Sequence, residues 1–409
     1  MRTQVAAIEF GTSKIVTVIA ENGGFNRCDI IGSGTVPYDG YRGGDWVTPE
    51  RLAQAVYNSI SAAEKDANTK IKDIYIGIPC EYIHVKTAKA TVPIHGERQR
   101  VSEQDIDEVQ DMAANVFRFE KQKGLKVIHR SPAWFSIDDG KHTMLPLNVS
   151  GQNLSACVSF IVADQLFMDD MCSLMASMGI IINGFLSPSF GEQLLLTTIE
   201  EREKPGIFIN VGFTNTEFSV LEGDAMVYHA ILPMGGAHIT EGLASAMEIG
   251  GDEAEQLKRS FVLGAEGFDL INPPIFNDEN GRKLNFEPDF VKECMKRNVD
   301  ELCEMISMTI EDAESFLRPR SPVFLTGGGL ALIRGGKEYL ASRIGRPVKV
   351  PQLKAAKLNS PVYSSVMGLV DLIFDSIEQR TTEQDNLPGR LADGFRGLFN
   401  KKSTKDYNQ

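Results

Sequence analysis

The sequence predicts an α/β protein of two related lobes, each built on a mixed sheet, with an α+β subdomain inserted in the first lobe and an amphipathic helix at the C-terminal end. Three observations predict this. The stretch AAIEFGTSKIVTVI, Ala6 to Ile19, returns about half a chain later as IFINVGFTNTEFSVL, Ile207 to Leu221. In each copy an apolar run ends in an acid or its amide, Glu9 or Asn210, and a glycine follows two residues on, Gly11 or Gly212. Hydroxyl and amide side chains then lead into a second β-branched run, so each copy reads as strand, tight turn, strand. The second observation is that both copies are followed by alternating strand and helix patterns, as expected of a mixed α/β domain. The third is a change of texture between about Glu81 and Ala163, where strand patterns and one amphipathic helix run without glycine turns.

In chain order, Cys28 to Val36 continues the first hairpin as a third strand, and the glycine-rich Gly40 to Asp45 leads to a helix from Pro49 to about Ala67. Thr48 is placed to cap that helix, Pro49 suits its first position, and Leu52, Val56, Ile60 and Ala63 form its apolar face. Ile74 to Ile78 is a short buried strand closed by Pro79. In the inserted part, Ser102 and Asp105 form a capping box for a helix from Glu103 to Phe117. Val127 to Phe135, Leu145 to Val149 and Ala156 to Val162 read as strands. Asp164 to Met178 is a helix and Ile180 to Leu186 a strand. After the second hairpin come a strand at Ala225 to Leu232, a glycine turn at Gly235 and Gly236, and helices at Thr240 to Ala246 and Asp252 to Phe261. Gly264 to Asn285 has too much Pro, Gly and Asn for regular structure. A long helix follows from Pro288 to about Phe316, its methionines spaced as core filler. Val323 to Thr326 is a strand opening on Gly327, Gly328 and Gly329, and helices are expected at Leu330 to Arg343 and Ser364 to Phe374.

The domains expected are 1–80 with 164–204 and part of 361–378 as the first lobe, 81–163 as the insert, 205–232 with 317–360 as the core of the second lobe, and 233–316 as its upper part. Residues 379–386 read as a linker and 387–409 as a tail. In that tail Leu387, Leu391, Phe395, Leu398 and Phe399 fall on one helical stripe, with Arg390, Arg396, Lys401 and Lys402 beside or beyond it. Gly389, Gly394 and Gly397 make it a poor helix in water, so it should form on a surface that buries the stripe. An anionic membrane and a groove on a protein both meet that requirement.

Composition narrows the function. A chain of 409 residues has room for two to four domains, and its net charge of -13 argues against nucleic acid as the main partner. Six scattered cysteines without a CxxC pair are expected to be reduced thiols, and the six histidines show no metal-type spacing. No run approaches the length of a spanning helix, and the N-terminal stretch lacks signal-peptide character.

Two facing turns of this kind could hold phosphates and a cation between them. Taken with their partners, they resemble the actin and Hsp70 superfamily of ATPases, whose two lobes close on a nucleotide. IEFGTSK (Ile8 to Lys14) is similar to its first phosphate motif, INVGFTNTEF (Ile209 to Phe218) to its second, and FLTGGG (Phe324 to Gly329) to its adenosine motif. Within the superfamily the chain most resembles the FtsA family of bacterial cell-division proteins, on LPMGGAHIT (Leu232 to Thr240), AEQLK (Ala254 to Lys258), PVYSSVMGL (Pro361 to Leu369), the insert after IYIGIP, and the tail.

The resemblance implies ATP as ligand. Gly11, Thr12, Ser13 and Lys14 would lie on one side of the β- and γ-phosphates, with Gly212, Thr214, Asn215 and the turn at Gly235 and Gly236 on the other. Glu255 and Lys258 would reach ribose and base, and Gly327, Gly328 and Gly329 would admit the adenosine. It also implies Mg²⁺ held through water by the two strand ends, where the family pattern has aspartates and this chain has Glu9 and Asn210. Phe213 and Thr214 replace glycines, and Glu217 stands for a later acid. These departures all fall on the phosphate and metal side, so the expectation is a nucleotide-binding scaffold that hydrolyses ATP slowly or not at all. The implied partners are FtsZ, other division proteins, further copies of the chain in a filament, and the inner face of the cell membrane at the division site. A pilus-assembly adaptor of the PilM type and a sugar-kinase-like enzyme share the fold and are the alternative readings.

Overall fold

The computed structural model describes residues 3–22, 28–117, 124–264, 276–277, 283–284, 287–353 and 355–384. The first lobe opens with an antiparallel meander, β1 (Gln4–Phe10), β2 (Lys14–Asn22) and β3 (Cys28–Pro37), followed by a short hairpin of β4 (Tyr41–Arg42) and β5 (Asp45–Trp46). Helix α1 (Pro49–Ala67) crosses β3 closely. A Cβ on Gly34 would lie 2.0 Å from the Ser59 carbonyl oxygen, so glycine there sets the approach. Thr48 does not cap α1 through its side chain; its hydroxyl is buried without a partner, displaced from the capping position by the turn that carries Gly40 against it.

β6 (Asp73–Gly77) then joins β1 in parallel, and the chain leaves for the insert. There β7 (Ile83–Pro93), β8 (Leu125–Ile137) and β9 (Asn153–Asp164) form an antiparallel sheet in the order β7-β9-β8, covered by α2 (Glu103–Val116). The expected capping box is present: the Asp105 N–H donates to Ser102 Oγ at 3.3 Å and the Ser102 N–H to Asp105 Oδ2 at 2.8 Å. Leu145 to Val149 is not a strand. Its alternating apolar residues are exposed in an irregular connection that is tied down only near its ends, Thr143 pairing with Phe135 of β8 and Asn148 and Val149 bonding the backbone of Val101. The chain returns through α3 (Gln165–Ser177) to β10 (Ile181–Leu186), parallel to β6, and then makes two helices that the sequence pattern did not reveal, α4 (Pro188–Leu195) and α5 (Ile199–Arg202).

The second lobe repeats the plan. β11 (Gly206–Val211), β12 (Thr216–Glu222) and β13 (Ala225–Leu232) form the meander. After α6 (Gly236–Met247), α7 (Gly251–Ser260), a two-stranded pair of β14 (Phe276–Asn277) and β15 (Lys283–Leu284), and the long α8 (Pro288–Asp312), the parallel strands β16 (Val323–Thr326) and β17 (Val348–Lys349) flank α9 (Gly336–Ile344). The sheet orders are β3-β2-β1-β6-β10 and β13-β12-β11-β16-β17, the same topology twice. Helix α9 begins at Gly336 rather than at Leu330, since Gly335 adopts a left-handed conformation with φ of 74° and closes an intervening turn. The last helix, α10 (Ser364–Gln384), packs on α4 and runs through most of the stretch read as a linker. The tail residues Leu387, Arg390, Leu391, Phe395, Arg396, Leu398, Phe399, Lys401 and Lys402 lie outside the described residues.

Each lobe has its own apolar core, one around Ile8, Val18, Ile76 and Leu369, the other around Ile209, Phe218, Leu302 and Leu325. A third, smaller core around Val109, Leu154 and Phe160 belongs to the insert. Among the described residues no helix is long and apolar enough to cross a membrane.

Candidate functional site

The strand ends and turns that organise the two lobes face each other across a cleft of about 660 Å³, within the usual range for small-molecule sites. The two turns are built alike. The Gly11 N–H donates to the Lys14 carbonyl at 2.9 Å, and the Gly212 N–H to the Asn215 carbonyl at 2.9 Å. They touch directly, the Thr214 N–H donating to Thr12 Oγ1 at 3.2 Å. Of the residues expected to contact nucleotide, all but Thr214 and Gly235 line the cleft, as do Glu9 and Asn210. The Thr214 hydroxyl is buried without a partner, and the Gly235 N–H donates to His238 Nδ1 at 3.1 Å.

On the first-lobe side Glu9 is the penultimate residue of β1. Burial pushes its carboxyl up, against a hydrogen bond from Ser365 and the nearby Lys14 ammonium. Lys14 Nζ donates to the Val362 carbonyl at 3.2 Å and lies 4.0 Å from the centre of the Tyr363 ring. Its own pKa is lowered by burial, with Glu9 opposing. Asn215 donates through Nδ2 to Glu81, tying the second turn to the residue that follows Cys80.

On the second-lobe side Asn210 is the penultimate residue of β11, in register with Glu217 on β12. The Asn210 amide donates through Nδ2 to Glu192 Oε2 at 3.1 Å. Glu192, on α4 of the first lobe, is 3% exposed and also accepts from the Ser364 hydroxyl and from Thr326. Burial pushes its carboxyl up to about 7, with the charge of Glu217 adding and the three hydrogen bonds opposing. Glu217 in turn lies 3.0 Å from His229 Nε2. Two adjacent serines at the start of α10 thus serve the two strand ends: Ser365 bonds Glu9, and Ser364 bonds the glutamate that holds Asn210.

The base side is a compact polar knot. Lys258, only 5% exposed, is 2.6 Å from Glu255 Oε2 and donates to the Gly236 carbonyl and to Thr240 Oγ1, both at 2.9 Å. Thr240 Oγ1 donates to Glu255 Oε2 at 2.6 Å and Arg259 Nε to Glu255 Oε1 at 2.8 Å. Burial would raise the Glu255 carboxyl, but the Lys258 charge and these hydrogen bonds hold it below its ordinary value. This is not the loose surface pair that an i, i+3 spacing alone allows. The glycines beside it are required by backbone contact. A Cβ on Gly327, whose φ is 78°, would stand 2.3 Å from the Val211 carbonyl oxygen, and one on Gly329 would stand 2.6 Å from that of Gly212.

Glu192, Glu81, Ser364 and Ser365 are site residues that the sequence reading missed. The two serines sit inside PVYSSVMGL, so a signal existed. Glu192 has none in its own neighbourhood. It reaches the site because Gly191 on α4 and Gly368 on α10 let the helix backbones touch, a Cβ on Gly191 falling 2.3 Å from the Gly368 carbonyl oxygen.

The residues fit a nucleotide's base side and one phosphate turn, but they do not fit a hydrated Mg²⁺. That ion takes near-octahedral oxygen ligands, usually carboxylates and phosphates. Asn210 offers no charge where a carboxylate would balance the ion, and its amide is held toward Glu192 through the nitrogen. Away from the cleft, His95, Asp105 and Glu108 bring three possible metal-ligating atoms within 4.8 Å, an arrangement that sequence spacing did not show. Asp105 there already accepts from the backbone of His95 and Ser102 as a helix cap.

A family model for the cell division protein FtsA matches residues 207–368, and one for the SHS2 domain inserted in FtsA matches residues 80–162. The chain is 23% identical over 382 residues to the cell division protein FtsA of Borreliella burgdorferi, covering 90% of both chains. It is 23% identical over 376 residues to that of Pseudomonas aeruginosa, covering 90% of this chain and 88% of the relative. Among solved structures, the PilM-PilN type IV pilus biogenesis complex shares the actin-like fold at a TM-score of 0.61 and 16% identity, over 91% of this chain and 99% of that one. The two family models fall on the insert and on the second lobe in the order the fold requires, and the relatives align along nearly the whole length: the chain belongs to the FtsA family of cell-division proteins.

Proposed function

We propose that this protein is an actin-like cell-division scaffold that binds an adenine nucleotide between its lobes, hydrolyses it slowly or not at all, and links FtsZ to the inner face of the cell membrane at the division site. The observation that carries the reading is the pair of glycine turns, closed by the same 2.9 Å bond and facing each other across the cleft. Membership of the FtsA family supports the cell-division setting, and the duplicated lobes support assembly into a filament with further copies of the chain.

Slow or absent turnover follows from the strand ends. Efficient phosphoryl transfer depends on metal ions that neutralise charge building up on the phosphates, and Asn210 bound to Glu192 is a poor place to hold one. Membrane attachment is assigned to the tail. Each apolar residue of the stripe contributes up to about 1.5 to 3 kcal/mol when buried, and each basic residue near an anionic leaflet about 1 kcal/mol. The cost of folding a glycine-rich helix offsets much of this, so single tails bind weakly and an array of tails on one filament binds strongly.

Two measurements test the reading. Titration calorimetry with ATP and ADP, paired with a phosphate-release assay, should show binding with little or no turnover; Mg²⁺-dependent hydrolysis at ordinary enzyme rates would refute the scaffold assignment. Deletion of residues 387–409 should abolish sedimentation with anionic liposomes. Unchanged pelleting would move the stripe from the membrane to a protein groove.

A further inference from the structure

We propose that the cleft is a site for a nucleoside diphosphate bound without a divalent cation, the places of a third phosphate and its metal being taken by Phe213 and by the Asn210–Glu192 hydrogen bond. The proposal rests on the reading of the cleft as a nucleotide site and specifies which nucleotide state it accepts.

The metal side is closed by the protein's own bonds. The four carboxyl groups around the turns each have a protein partner: Glu9 has Ser365, Glu81 has Asn215, Glu192 has Asn210 with Ser364, and Glu217 has His229. The Asn210 oxygen stands against Gly327, where a Cβ would be only 2.4 Å away. The amide nitrogen is therefore engaged by Glu192 and the oxygen lies close to the Gly327 backbone, at the cleft's edge.

The terminal-phosphate side is closed as well. Helix N-termini and glycine turns hold phosphate through unpaired backbone N–H groups. Here the Gly236 N–H donates to the Gly212 carbonyl at 2.9 Å and the Ala237 N–H to the Phe213 carbonyl at 2.7 Å. The Thr214 N–H is taken by Thr12. The first turn of α6 and the second-lobe loop thus satisfy each other instead of a ligand. The Phe213 ring, 37% exposed, lines the cleft at the loop's tip.

What stays available is the first-lobe turn. Ser13 and the Lys14 ammonium, which keeps two further donors beyond its bond to the Val362 carbonyl, line the cleft beside Glu9, opposite the knot of Lys258 and Glu255. With no metal to neutralise it, each added phosphate brings further negative charge toward the carboxyl groups of Glu9, Glu81 and Glu217, which line the cleft beside the turns. Interactions of this kind are strong in a partly desolvated cleft, so the shorter chain is preferred. A β-phosphate can still be met by Ser13 and Lys14, which favours the diphosphate over the monophosphate.

The test is calorimetry on the full-length chain with ADP, ATP and AMP, each in EDTA and in MgCl₂. ADP is expected to bind in EDTA with an affinity that Mg²⁺ changes by less than about twofold, while ATP and AMP bind at least about tenfold more weakly, a gap of roughly 1.4 kcal/mol. Phe213→Gly is expected to raise the affinity for ATP. Three results overturn the proposal and leave the nucleotide site standing: ATP with Mg²⁺ binding more tightly than ADP, EDTA abolishing ADP binding, or AMP matching ADP. Failure of all three nucleotides to bind under either condition overturns the nucleotide reading of the cleft together with it.

Discussion

The two hairpins that open the lobes are the same object locally and different objects in context. Each turn closes with one glycine-to-carbonyl bond of 2.9 Å, and each follows a strand whose penultimate side chain is polar. The first-lobe turn is nearly unencumbered: a Cβ on Gly11 would meet only the Lys14 carbonyl oxygen, at 3.2 Å. The second-lobe turn is packed against other glycine backbone, its carbonyls receiving the start of α6 and its glycine facing Gly329. The strand ends differ in the same sense. Glu9 keeps a carboxyl and is bonded within its own lobe, whereas Asn210 is held across the lobes by Glu192. Duplication preserved the backbone of the turn. The partners around it divided the roles, leaving the first turn open to the cleft and making the second a structural joint.

The largest expected effect that would break this contrast concerns the joint. The Glu192 carboxyl titrates at about 7 in the native protein against 4.5 for an ordinary glutamate. The native state therefore keeps a proton that the unfolded chain loses, so the stability this group contributes is complete below pH 4.5 and is lost as pH rises through 7. The change is about 3 kcal/mol. Urea unfolding between pH 4.5 and 8 should show a steeper decline for the wild-type chain than for Glu192→Gln, and parallel profiles would remove Glu192 from the joint.

The glycines give the next contrast. Gly329→Ala should destabilise by about 2–3 kcal/mol, since overpacking against fixed backbone is not relieved by a side-chain shift. Its Cβ would meet the Gly212 carbonyl oxygen at 2.6 Å and the Gly236 nitrogen at 2.9 Å. Gly11→Ala should cost below about 1 kcal/mol in the same assay. Equal losses would mean that the two turns are equally constrained. The smallest effect is expected where the turns touch. Thr12→Val leaves the Thr214 N–H without its acceptor, at a cost of about 1 kcal/mol, read as faster hydrogen exchange at the Thr214 amide than at Gly11 or Gly212.

Much of this was legible in the sequence because it is local. The strand, turn, strand pattern depends on alternation and glycine placement within about a dozen residues, and the Ser102 capping box was found because its two halves are three residues apart. The strand expected at Leu145 to Val149 failed for the complementary reason. Its alternation is real, but a strand needs a continuous ladder, and this segment bonds the Val101 backbone only at Asn148 and Val149. Thr48 failed as a cap although the cause lies only eight residues away, where the hairpin that starts at Gly40 folds back against its hydroxyl, a contact that spacing does not show.

The site divides along the same line. Sequence and the family resemblance marked Gly11 to Lys14, Gly212, Thr214, Asn215, Gly235, Gly236, Glu255, Lys258 and Gly327 to Gly329 as candidates, and showed that the strand-end residues depart from the family's aspartates. It could not show that Asn210 is bound to Glu192, or that the Gly236 and Ala237 amides are used by the loop they face. Those facts depend on a helix contact between Gly191 and Gly368 and on the approach of Gly329 to Gly236, pairs far apart in the chain. Spacing determines what one turn or one helix face can present. Only the packed chain decides which of those groups meet each other and which are left for a ligand, because a hydrogen-bonding group satisfied inside the protein is no longer available outside it.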